Sequence, residues 1–215
     1  MARVLGIDPG SRVTGYGIIE SDGVRSRHLH SGCIRTTAGD FPQRLGEIFA
    51  GISSLLDEWA PQEVAIEQVF VARNASSALK LGQARGAAIA AVVTHQLPVH
   101  EYTPAAVKQG LVGNGRAEKE QVQHMIRVIL GMQGAMALDQ SDALAIALCH
   151  AHSHATRRMI AGVVVQAVLP VAAGRALAAS TALAYRDQLL VAGLECDDQL
   201  GLQRAMLHIA EVGLQ

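Results

Sequence analysis

The stretch Leu5-Gly6-Ile7-Asp8-Pro9-Gly10-Ser11-Arg12-Val13-Thr14-Gly15-Tyr16-Gly17 decides how this chain folds. The apolar run from Arg3 to Ile7 stops at Asp8-Pro9-Gly10, the pattern of a strand that ends in a turn. Val13 to Ile19, interleaved with Gly15 and Gly17, reads as a second strand, and about Arg27 to Arg35 as a third. Together they predict an antiparallel meander.

Downstream, strands alternate with helices. Asp40 and Pro42 suit the start of a helix. Leu45, Ile48, Phe49, Ile52, Leu55, Leu56 and Trp59 then mark one buried face at helical spacing, and Pro61 stops it. Glu63 to Val69 is the next strand. Asn74 opens a long helix to about His95, with Gly82, Gly86 and Ala90 spaced by four so that another backbone can come close. This stripe fits either the sheet or a twin subunit. Val99 to Tyr102 is a strand, and Thr103-Pro104 caps a helix ending near Gly113. Val122, Met125, Ile126, Ile129 and Leu130 mark another helix, and Asp139 starts a last one through about His152. Strands first, then strand–helix alternation, predict an α/β fold: a mixed sheet flanked by helices.

Composition narrows the class. Half of the 215 residues are apolar and only 17% are charged, which excludes a disordered chain and allows one substantial core. The most apolar stretch, Val163 to Ala184, is broken by Gln166, Pro170 and Arg175, so no membrane span is expected. No signal peptide is evident at the start. Cys33, Cys149 and Cys196 are scattered and odd in number, which fits reduced thiols and a cytoplasmic location. The net charge of −1 hides an uneven distribution. From Arg73 to Arg127 there are seven basic residues and three acidic ones, while the chain after Arg158 is slightly acidic. A basic middle is compatible with a nucleic-acid partner and equally with a solvated charged face.

Three acidic sites stand out. Asp8 sits where a buried strand gives way to a turn, although Asp-Pro-Gly alone is an ordinary turn. Glu67 interrupts the run Val64-Ala65-Ile66-Glu67-Gln68-Val69-Phe70, where an acid is costly to bury unless paired or metal-bound. Alternation on a half-exposed strand would also account for it. Asp139 and Asp142 lie three apart at a helix start and project from one face, an arrangement that also resembles helix capping. Carboxylates distant in sequence but close in space would suit hard divalent cations. In a phosphodiesterase they would hold two ions ~4 Å apart. His150, His152 and His154 lack a third fixed ligand for zinc and read as a frayed helix end.

The segment from Leu5 to Gly17 resembles the opening of the RuvC-type Holliday junction resolvases. So do Ser31-Gly32-Cys33-Ile34-Arg35, AIEQVF from Ala65 to Phe70 and SALKLGQARGAA from Ser77 to Ala88. Val107-Lys108-Gln109, Ala117-Glu118-Lys119 with Gln121-Val122-Gln123, and SDALAIA from Ser141 to Ala147 continue the likeness in one collinear order to about His152. The resemblance implies an RNase H-like fold, and a homodimer that nicks two opposed strands of a four-way DNA junction in recombination and repair. It implies four catalytic, metal-holding carboxylates at Asp8, Glu67, Asp139 and Asp142, with two Mg²⁺ ions per subunit and Mn²⁺ able to substitute. It further implies catalytic and DNA-engaging lysines at Lys108 and Lys119, an aromatic wedge at Phe70, a thymine-containing cutting preference, and RuvA and RuvB as partners. Arg73, Lys80 and Arg85 join Phe70 and the lysines as candidate DNA contacts.

The nuclease domain is expected over residues 1–158. Residues 159–215 form an extension atypical of that family, in which Leu200, Leu202, Ala205, Met206 and Ile209 could make a weakly amphipathic helix. An actin-like ATPase would need a second copy of the glycine-rich hairpin, which is not visible. A non-catalytic junction binder would be expected to lack a carboxylate. An RNase H-like nuclease acting on RNA would not need the matches at Phe70 and Lys108.

Overall fold

The computed structural model describes residues 1–37, 39–68 and 75–154. The unit that contains the sheet spans Met1–Ser153. Phe70, Arg73, Cys196 and the extension from residue 159, including its suggested helix, lie outside the described residues.

Strands β1 (Ala2–Asp8), β2 (Val13–Ser21) and β3 (Ser26–Arg35) form the expected meander. β4 (Glu63–Glu67) and β5 (Val99–Tyr102) add to its other edge in parallel, giving the order β3-β2-β1-β4-β5. The helices are α1 (Phe41–Trp59), α2 (Ala75–Thr94), α3 (Pro104–Val112), α4 (Lys119–Leu130) and α5 (138–154). Each parallel connection uses a helix, as strands running the same way require.

Residue parity along the strands assigns the two faces. Leu5 and Ile7 of β1, with Val64 and Ile66 of β4, pack with Ile48, Ile52, Ala84 and Ala88 of α1 and α2. Val4 and Ala65 point the other way, into a cluster with Val107, Leu111, Val122, Ile126 and Leu144. Because side chains alternate along a strand, Asp8 shares parity with Val4, and Glu67 shares parity with Ala65. Both acids therefore emerge on the face that carries α5.

Helix α5 is buried almost all round from Ser141 to Ala151, sandwiched between the sheet and α3 and α4. Two glycines allow that close seating. A Cβ on Gly6 would lie 2.1 Å from the Ala143 carbonyl oxygen, and one on Gly15 would lie 1.9 Å from the Asp139 carbonyl oxygen. Gly15 is also the cross-strand partner of Asp8. The glycines of the opening stretch thus lower α5 onto the end of β1.

Two sequence expectations are corrected. Asp139 does not start its helix as a cap: the helix begins one residue earlier, so Asp139 and Asp142 are interior to the first turns. The opening backbone is served instead by Gln140, whose Oε1 accepts from the Ala137 N–H at 3.3 Å. Nor is the region of His150 frayed. Helix α5 continues through residue 154, and His150 is 1% exposed, held by the Tyr102 hydroxyl at 2.8 Å and by Glu63 at the start of β4. A buried imidazole with two partners anchors the far end of the helix that carries Asp139 and Asp142.

Candidate active site

Asp8 is the last residue of β1, and the turn after it is tied down locally. The buried Thr14 hydroxyl donates to the Gly10 carbonyl at 3.0 Å and accepts from the Gly10 N–H at 3.3 Å. Glu67 is the last residue of β4, one step beyond the Ile7–Ile66 pair of the β1–β4 ladder. Adjacent parallel strands ending at the same level place the two carboxyls side by side, and they are hydrogen-bonded to each other.

Electrostatics bear out that crowding. Burial, then the charges of Glu67 and Asp142, push the Asp8 carboxyl from 3.8 up to about 8. Asp139 adds to the same effect. Burial raises Glu67 too, opposed by the hydrogen bond from Asp8 and the charge of Lys119. Asp8 and Glu67 therefore share a proton that the pair holds above the ordinary carboxylate range. Carboxylates drawn from β1, β4 and α5 face one another closely enough that one of them holds a proton at neutral pH.

Lys119, the first residue of α4, reaches Asp142 at 3.1 Å, and this contact raises its own pKa. A cleft of about 240 Å³ opens beside the carboxylates, lined by Glu67, Val107, Lys108, Lys119, Val122 and Asp142 among others. Lys108 comes from α3, whose start is fixed by the Thr103 side chain accepting from the Ala106 N–H. α4 is fixed by a reciprocal capping box between Glu118 and Gln121. Lys119 thus opens a well-anchored helix, and Lys108 lies midway along another.

The structure brings together six of the residues expected from sequence: Asp8, Glu67, Asp139, Asp142, Lys108 and Lys119. Lys80 is exposed on α2. Arg85 is half-buried, and its Nε donates to the Glu67 carbonyl at 3.0 Å. Sequence reading missed the Arg85–Glu67 contact and the Glu63–His150–Tyr102 network. An arginine among alanines and glycines on a helix facing a sheet was the available signal for the first. An acid at the start of β4 was the signal for the second.

An all-oxygen donor set from two strand ends and one helix, with a proton trapped among the carboxyls, fits a hard divalent cation. Cationic side chains at the rim suit a phosphate.

The comparisons with known proteins are specific. Residues 4–150 match the family model described as crossover junction endodeoxyribonuclease RuvC. The chain is 60% identical over 156 residues to the enzyme of that name from Methylococcus capsulatus, covering 73% of this chain and 94% of the relative. It is 56% identical over 161 residues to the one from Geobacter sp., covering 74% and 98%. Among solved structures, the Thermus thermophilus RuvC in complex with a Holliday junction substrate superposes with a TM-score of 0.69 at 37% identity, covering 72% of this chain and 96% of that one. The yeast mitochondrial Holliday junction resolvase Ydc2, at 16% identity and a TM-score of 0.55, shares the fold. The chain belongs to the RuvC family of crossover junction endodeoxyribonucleases and is a nuclease.

Proposed function

We propose that this protein resolves four-way DNA junctions by nicking two opposed strands symmetrically, in recombination and repair. The observation that carries the reading is the meeting of Asp8, Glu67, Asp139 and Asp142 beside Lys108 and Lys119, in a chain of this family.

The four carboxylates are the ligands for two Mg²⁺ ions, with Mn²⁺ able to replace them. Bound there, such ions would supply a water of lowered pKa and charge stabilisation for the leaving oxygen of an in-line displacement. The chain's own residues prepare that chemistry. Asp8 and Glu67 would give up the proton they share in order to act as ligands. Lys119 holds Asp142 in place, and Lys108 and Lys119 attract the scissile phosphate into the cleft. Phe70 is the proposed wedge at the junction crossover, and Arg73 and Lys80 are proposed DNA contacts.

Two opposed cuts need two active sites related by a two-fold axis, so the working unit is a homodimer. Helix α2 supports this. Gly82 and Gly86 face open space rather than the sheet, and Leu79 and Val93 remain 64% and 57% exposed nearby. RuvA and RuvB as partners, and a cytoplasmic location, follow from family membership alone. Among the described residues no helix is long and apolar enough to cross a membrane. The proposal includes a nuclease domain over residues 1–158 and an extension, 159–215, that is dispensable for cutting; comparing the chain ended after Arg158 with the full chain tests that boundary.

Cleavage of a mobile four-way junction, beside linear duplex and RNA hairpin controls, tests the proposal. Preferential paired nicking of the junction supports it, and equal cutting of the controls refutes it.

A further inference from the structure

We infer that Arg85 is a positioning residue for Glu67, fixing the end of β4 from helix α2, and is not a DNA contact. The inference rests on the reading of Glu67 as a metal ligand.

The geometry is a three-way tie. Arg85 Nε donates to the backbone carbonyl of Glu67 at 3.0 Å. Arg85 Nη2 lies 2.7 Å from Glu101 Oε1 on β5, a close ion-pair contact rather than a directed hydrogen bond. Gln68, next after Glu67, donates its backbone N–H to the Tyr102 carbonyl at 2.8 Å and its side-chain amide to Glu101 Oε2 at 3.4 Å. The carboxyl of Glu67 thus projects from a residue whose own carbonyl is held by Arg85 and whose successor is held by β5.

That restraint falls where it is most needed. The β1–β4 ladder ends at Ile7–Ile66 and the β4–β5 ladder at Glu67–Tyr102, so Glu67 sits at the last rung of one and beyond the other. Its carboxyl also faces the repulsion of Asp142. A strand end under that repulsion would otherwise shift. The guanidinium suits the task because its planar fork presents donors in two fixed directions, which a lysine ammonium cannot do from one point.

The same contacts argue against a phosphate role. Only 20% of the Arg85 side-chain surface is exposed, and reaching a DNA backbone would break both ties. The contact also links α2, the helix proposed to face the twin subunit, to a catalytic strand end. Arg85 lies between Gly82 and Gly86 in sequence but on the inward side of the helix.

The experiment uses the full-length protein and three variants: Arg85→Ala, Arg85→Lys and Glu101→Gln. Mn²⁺ binding to the DNA-free protein is measured by calorimetry, junction affinity in Ca²⁺ across a salt series, and single-turnover cutting across a Mg²⁺ series. Arg85→Ala should weaken Mn²⁺ binding about tenfold, in the range seen when groups supporting metal ligands are removed. Its cutting rate should fall at low Mg²⁺ and recover at high Mg²⁺, with junction affinity and salt slope as in the parent. Arg85→Lys should stay impaired in Mn²⁺ binding although its charge is kept. Glu101→Gln should change Mn²⁺ binding in the same direction by less. Should Arg85→Ala fail to fold, Arg85→Lys and Glu101→Gln carry the test. Unchanged Mn²⁺ binding with a salt slope reduced by about one would make Arg85 a phosphate contact and overturn the inference. Full recovery by Arg85→Lys would also overturn it. If the parent itself binds no Mn²⁺ and Asp8→Asn cuts normally, the functional reading has failed, which is a different outcome from either.

Discussion

Replacing Asp8 with asparagine should make the metal-free protein more stable, and increasingly so as pH rises. The carboxyl has a value of 3.8 when unperturbed and about 8 in the fold, because it is buried beside Glu67 and Asp142. Between those limits the folded chain keeps a proton that the unfolded chain has released. Stability is therefore fullest below 3.8 and declines as pH rises to 8, by about 1.4 kcal/mol per pH unit. At pH 7 the accumulated loss has a ceiling of about 4 kcal/mol. The site borders an open cleft where solvent screens part of the charge, so about 2 kcal/mol is the expected gain. Asparagine keeps the size of the side chain and can still donate to Glu67, but has nothing to ionise. In a domain of this size 2 kcal/mol corresponds to a Tm increase of roughly 4–8 °C. Scanning calorimetry in EDTA at pH 4.5, 6 and 7.5 would show the gap between variant and parent widening at each step. Adding Mg²⁺ should narrow or reverse it, since only the parent gains stability by binding the ion tightly. A gap that is constant with pH, or a variant less stable than the parent at pH 7.5, would refute the shared-proton description.

Three further expectations concern other parts of the site. Lys119→Ala and Lys108→Ala should each slow single-turnover cutting about 100-fold while changing junction affinity far less; equal losses in both, or neither, would assign them to general attraction or to the surface. Phe70→Ala should bind junctions and melt like the parent but cut a fully paired junction poorly, with mismatches at the crossover restoring the rate; a large drop in Tm would make Phe70 a core residue. Gly15→Ala should cost about 1–3 kcal/mol of stability and most of the activity, because its Cβ would lie 1.9 Å from the Asp139 carbonyl oxygen and α5 must lift; unchanged cutting would contradict the close seating of α5.

Much of this arrangement was legible because strand parity is a strict rule. Asp8 ends a short apolar run in the sequence, whereas Glu67 interrupts one; with β4 ending at Glu67, alternation puts both on the face opposite Ile7 and Ile66. The helix boundaries at Thr103-Pro104 and Gly113 were equally plain, since the residues that cap them act locally. What was not legible depends on where elements sit against each other. The spacing of Asp139 and Asp142 fits a helix cap as well as a ligand pair, because nothing in it reveals that the helix begins one residue earlier. The target of Arg85 depends on how α2 is rotated on the sheet, and that is set by Ala84, Ala88, Ala91 and Val92 acting together. The anchoring of His150 is not visible in the sequence, because Glu63 and Tyr102, which hold it, come from two strands distant from it.

The central claim is that clustered carboxylates on two strand ends and α5 cut a DNA junction by holding metal. Single-turnover cleavage of a mobile four-way junction, with opposed strands labelled separately, tests it most directly, using the parent and Glu67→Gln with Mg²⁺ or EDTA. The account predicts paired nicks at symmetric positions with Mg²⁺, none in EDTA, and a Glu67→Gln variant that binds the junction without cutting it. Cleavage by Glu67→Gln at the parent's rate, or by either protein in EDTA, would contradict it.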